Sequence, residues 1–173
     1  MTIVRLDPGF HRALWDHLLP IGDRREQGAF LFAAAAAVDG RLEFSVIDHA
    51  FLGPQDFATQ SEDHLELADT TRIRLIKQAH RLDATLIELH SHPGPSPGGF
   101  SPSDRFGLQE TVPHMWWRLK GRPYLAIVVA PSGFDALVWL SNPHVPEALT
   151  GIQVGDNLLA PTNASLHGWD NDE

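Results

Sequence analysis

Apolar residues alternate with polar ones, or run unbroken for short stretches, along most of this chain, and the pattern breaks into recognisable elements. Residues 8–19, Pro-Gly-Phe-His-Arg-Ala-Leu-Trp-Asp-His-Leu-Leu, have the spacing of a short amphipathic helix that ends near Pro20. Ala29–Val38 and Arg41–Ala50 are an apolar and an alternating run joined by Asp39-Gly40, a strong two-residue hairpin signal. The alanines of the first run suit a helix by propensity, but the turn and its partner predict strands.

Leu52–Ser61 is polar and reads as a loop. A helix is expected over Glu62–Leu82, with Leu65, Ala68, Ile73, Leu75, Ile76, Ala79 and Leu82 on its apolar side. Ala84–His92 reads as a strand and Pro93–Phe100 as a Gly/Pro loop. Ser101-Pro102-Ser103-Asp104 opens a helix expected to run to about Glu110, and Tyr124–Ala130 with Phe134–Leu140 forms a second hairpin around Pro131-Ser132-Gly133. The expected class is therefore mixed α/β. Residues 1–142 are expected to form the domain, and 143–173, rich in Pro, Gly and Asn and acidic at the end, a poorly ordered tail.

Composition narrows the chemistry. The 173 residues include ten histidines and no cysteine. Disulfides, thiolate nucleophiles and zinc sites built on cysteine pairs are excluded, which leaves nitrogen and oxygen ligands for any metal. A net charge of −9 opposes a phosphate-binding surface. Arg72, Arg74, Lys77 and Arg81 do cluster, but they read as the solvated face of a helix, so no nucleic-acid partner is expected. No apolar run is long enough to span a bilayer, and no basic-then-apolar start marks export; a cytoplasmic location is the expectation.

The chemistry concentrates in residues 86–104. In a strand, Glu88, His90 and His92 share one face, and Pro93 ends the pairing just beyond them. Ser101-x-x-Asp104 is a helix-start pattern, common in itself, that brings a carboxylate to a helix N-terminus soon after the two imidazoles. Two histidines and a carboxylate can hold a zinc ion with one position open for water. Such a site needs a proton acceptor that is not a ligand, and Glu26, in Arg-Arg-Glu-Gln-Gly-Ala-Phe-Leu-Phe, is the candidate.

Taken together, Glu26-Gln-Gly-Ala-Phe-Leu-Phe, Glu88-Leu-His-Ser-His-Pro and Ser101-x-x-Asp104 resemble the JAMM metalloproteases of the JAB/MPN family, over about residues 20–140. The small bacterial members are the most similar. The resemblance implies the JAB/MPN, cytidine-deaminase-like fold: a mixed β-sheet flanked by helices. It implies one zinc ion on His90, His92 and Asp104, Glu26 as general acid/base, and Ser101 as the hydroxyl that steadies the oxyanion. It further implies hydrolysis after the C-terminal tail of a ubiquitin-like protein, with E1- or E2-like enzymes as possible pathway partners. Processing of a sulfur-carrier protein and a non-catalytic MPN-like binding scaffold are the alternatives.

Other motifs fail on chemistry. Gly94-Pro-Ser96-Pro-Gly98 matches the serine-hydrolase elbow, but Pro97 has no N–H for an oxyanion hole. Zinc deaminases of the usual form need a Cys-x-x-Cys pair. Trp116-Trp117 reads either as a partner-binding patch or as core.

Overall fold

The computed structural model describes residues 1–169. Its framework is a nine-stranded mixed sheet. In chain order the elements are β1 (Thr2–Leu6), α1 (Pro8–Leu18), β2 (Gly28–Val38), β3 (Arg41–Phe51), β4 (Phe57–Gln60), β5 (Leu65–Leu67), α2 (Asp69–Leu82), β6 (Thr85–Ser91), α3 (Pro102–Arg118), β7 (Tyr124–Ala130), β8 (Gly133–Trp139), β9 (Glu147–Ala148), β10 (Gly151–Val154), β11 (Asn157–Leu159) and α4 (Ala164–Gly168). The strand order is β11-β10-β1-β3-β2-β6-β7-β8-β9, and β4 with β5 makes a separate two-stranded ribbon. The pairs β1/β10, β1/β3 and β6/β7 are parallel, and the others are antiparallel. The class is mixed α/β, with helices flanking the sheet.

Strand periodicity sorts the core into two layers. Phe30, Phe32, Leu86, Tyr124, Ala126, Leu137 and Trp139 face α2 and α3. Ala29, Leu31, Ile87, Leu89, Leu125, Ile127, Ala136 and Val138 face α1, packing on Leu14 and Leu18. Both faces of β6 and β7 are covered, which explains why these strands read as nearly continuous apolar runs. His90 therefore opens toward the α2/α3 layer.

Several expectations need correction. The helix expected from Glu62 begins at Asp69. Upstream of it Ser61 N–H donates to the His64 carbonyl at 2.9 Å, reversing the chain so that Leu65–Leu67 pairs with β4. Leu65 and Leu67 keep a strand's two-residue spacing, not a helix's. Ile73 is 45% exposed rather than on the apolar side of α2. The helix after Ser101 continues to Arg118, through Pro113. Proline inside a helix costs ~3 kcal/mol, but Leu108, Val112 and Met115 recur at helical spacing and are buried in the core. Trp116 packs on that core, whereas Trp117 is 75% exposed.

The largest correction concerns the expected tail. Residues 143–169 belong to the fold. β10 pairs with β1, Leu149 and Ile152 are buried, and Trp169 packs edge-on against the buried Trp139, ring centroids 5.8 Å apart. The last four residues of that segment, 170–173, lie outside the described residues. Among the described residues, no helix is long and apolar enough to cross a membrane.

Candidate metal centre

The central strand β6 is paired on both sides, with β2 and with β7, so its C-terminal end is rigidly held. Hydrogen bonding continues past the strand: Ser91 N–H donates to the Gln27 carbonyl (3.0 Å), and His92 N–H donates to the Val129 carbonyl (2.8 Å). Both imidazoles are fixed through their backbone.

Asp104 arrives from α3. Ser101 is the N-cap: its Oγ accepts from the Asp104 N–H at 3.1 Å, and its own N–H donates to Asp104 Oδ2 at 2.8 Å. This reciprocal capping box, with Pro102 at the first helical position, sets the carboxylate's direction. The same Oδ2 lies 3.3 Å from His90 Nε2 and 3.1 Å from His92 Nε2, and the two Nε2 atoms are 3.2 Å apart. The triangle is nearly equilateral. Tetrahedral zinc with ligands at about 2.0–2.1 Å requires ligand atoms separated by about 3.3 Å, so these three donors fit one face of such a site.

Glu26 approaches from the start of β2. Its N–H donates to the Ser61 carbonyl (2.7 Å), and its carbonyl accepts from Gln60 Nε2 (2.9 Å). The side chain is buried, with Oε1 3.5 Å from His92 Nε2. Ligand atoms of Glu26, His90 and His92 all lie within 4.8 Å of one another, a group able to hold a metal ion. The structure thus brings together all four of the expected acid/base and ligand residues, with Ser101 beside them as the cap of α3.

The electrostatics follow from burial and proximity. Burial raises the Glu26 carboxyl above its usual range, with the two imidazoles opposing that rise. Burial also opposes ionisation of Asp104, but hydrogen bonds from His90 and His92 outweigh it and hold the carboxyl far below the usual range. Burial disfavours charge on His90, yet the hydrogen bond and charge of Asp104, with Glu26 and Glu88, win and raise it. Glu88 is raised by burial, against the hydrogen bond from Tyr124 Oη at 2.9 Å.

A cleft of about 410 Å³ adjoins the centre and is lined by Glu26, His90 and Asp104 together with apolar residues that include Phe30, Phe57 and Leu108. The Leu52–Ser61 segment, expected to be loop throughout but carrying β4 at Phe57–Gln60, contributes Leu52 and Phe57 to this cleft. Reading the chain alone missed Tyr124, Gln60 and Ser91, whose Oγ accepts from Gln27 N–H at 2.9 Å. Nothing local marks them; each acts across strands remote in sequence.

No protein-family model matches this chain, and no match is found among curated proteins. Among solved structures, the N-terminal domain of Trichoplax adhaerens STIL aligns at 13% identity and a TM-score of 0.35, over 74% of this chain. The alignment spans 36% of that structure's chain, and so slight a likeness bears on neither fold nor function.

Proposed function

We propose that this chain is a zinc-dependent hydrolase of the JAMM type, cleaving the amide or isopeptide bond after the C-terminal tail of a ubiquitin-like protein. One observation carries the reading: His90 Nε2, His92 Nε2 and Asp104 Oδ2 form a triangle with edges of 3.1–3.3 Å beside the buried Glu26 carboxylate. The order of a strand preceded by Glu26, its hairpin partner, a helix, a His-x-His strand and a helix capped by Ser101 supports the JAB/MPN fold. The substrate class rests on the resemblance of the three motifs.

His90, His92 and Asp104 would hold the ion through those three atoms. A zinc ion so bound supplies a Lewis acid and brings the pKa of a bound water to about 7. Glu26 Oε1, 3.5 Å from His92 Nε2, takes the proton of the attacking water and delivers it to the leaving amine nitrogen. Ser101 Oγ accepts from the Asp104 N–H, so its own O–H serves as donor to the developing oxyanion.

The test uses the zinc-loaded chain and a ubiquitin-like protein extended beyond its C-terminal tail. Cleavage at the end of the tail, abolished by a chelator and by Glu26→Gln, is the expected result. A folded protein that takes up no zinc, or full cleavage by Glu26→Gln, overturns the proposal.

A further inference from the structure

The last described residues reach back to the metal centre. Asp135 on β8 is fully buried on the α2/α3 side of the sheet, and both its carboxylate oxygens hold the backbone of the C-terminal segment. Oδ1 accepts from Asn163 N–H (3.0 Å) and Oδ2 from Ser165 N–H (2.9 Å). That segment in turn holds the Pro93–Phe100 loop at two points. Thr162 Oγ1 donates to the Gly98 carbonyl (2.7 Å), and the buried Ser165 Oγ accepts from Phe100 N–H (2.8 Å). The loop is also pressed onto β8: a Cβ at Gly98 would lie 2.9 Å from Phe134 Cα, so only glycine fits there.

Phe100 is the residue before the Ser101 cap. Its ring is buried, 5.8 Å from the His90 ring. Hydrogen bonds therefore run from Asp135 through residues 163–165 to Phe100, and the Ser101 cap one residue on orients Asp104 Oδ2. A one-ångström drift of Phe100 would shift both the cap and the packing behind an imidazole.

We propose that Asp135, Thr162 and Ser165 are positioning residues for the metal centre: residues 162–165 clamp the Gly98–Phe100 loop and so set the placement of Asp104 and His90. This rests on the reading of His90, His92 and Asp104 as zinc ligands. Partners that orient metal ligands from behind are worth about 10- to 100-fold in metal affinity, and this clamp acts on the ligands through backbone.

The experiment titrates full-length variants with zinc against a chromophoric chelator and records the visible absorption of their cobalt forms. Ser165→Ala and Thr162→Val are expected to bind zinc about tenfold more weakly, with altered cobalt bands. Thr162→Ser keeps the hydroxyl and should match the parent. Thr150→Val removes a comparable hydrogen bond, to Thr2 N–H, at the remote β1/β10 junction and should also leave zinc affinity unchanged. Parent-like affinity in folded Ser165→Ala and Thr162→Val, or an equal loss in Thr150→Val, overturns the clamp alone. If Ser165→Ala does not fold, the Thr162 pair decides. A parent chain that binds no zinc overturns the clamp together with the proposed function.

Discussion

Glu26 and His92 face each other two residues beyond the last paired residues of the β2–β6 ladder, Gly28 and His90, with Oε1 and Nε2 3.5 Å apart. The antiparallel register brings a glutamate and a histidine far apart in sequence into one cluster. A one-residue slip would turn the glutamate to the opposite face of the sheet.

Glu26→Gln keeps the shape and removes the base. Hydrolysis of the extended ubiquitin-like substrate should fall by about 10²- to 10⁴-fold, while zinc content, measured by elemental analysis, stays the same. Because burial raises Glu26, its folded-state pKa lies above its unfolded value. Its contribution to stability is thus lost as pH rises through that folded pKa. The metal-free Gln variant should consequently melt no lower than the parent at neutral pH.

Zinc should stabilise the parent and not the variant Asp104→Ala. A ligand at 100 times its Kd adds about 2.7 kcal/mol to the folded state, which thermal denaturation detects as a rise in Tm. An equal rise in Asp104→Ala would place the ion elsewhere.

Zinc affinity should climb with pH. Asp104, Glu26 and Glu88 raise His90 above the ordinary histidine value of about 6.5, so near that pH the metal-free imidazole carries a proton that the ion must displace. The sign is fixed: protonated His90 contributes stability fully present below the ordinary value and lost as pH rises through the raised one. Chelator competition from pH 5.5 to 8, on the order of the range histidine spans, should show binding tighten throughout.

Ser101→Ala removes two functions at once. Losing the cap costs about 1 kcal/mol, read by denaturant unfolding, and losing the hydroxyl lowers kcat. Ser101→Thr restores the cap. Activity that survives Ser101→Ala unchanged would assign the oxyanion to another donor.

Ile152→Ala tests the end of the chain. It should destabilise the fold by about 2–5 kcal/mol, as a buried aliphatic residue does. An unstructured tail would show no change.

How far the fold could be read depended on whether its signals were local. Asp39-Gly40 announced its hairpin because both residues take the positive φ, 49° and 77°, that the tight turn needs. The alternation Glu88, His90, His92 was equally visible, as was the cap at Ser101. The Leu65–Leu67 strand was not, since three residues are too few to show alternation and Leu65 with Ala68 extends the helical spacing of α2 backwards. β10 and β11 escaped notice because they are short, lie among prolines and glycines, and owe their form to a partner at the other end of the chain. The Tyr124–Glu88 hydrogen bond likewise depends on the parallel β6/β7 register, which no local pattern encodes.

The pairing of β1 with β10 also governs how the molecule is made. β1 is an inner strand, flanked by β3 and by β10, and its Thr2 N–H is bonded to Thr150, 148 residues later. During synthesis the first strand emerges early but keeps one bare edge until Gly151–Val154 has left the ribosome. Contacts so distant in sequence slow folding and leave a sticky edge exposed meanwhile. The nascent chain is therefore most prone to self-association while Gly151–Val154 is not yet available to β1.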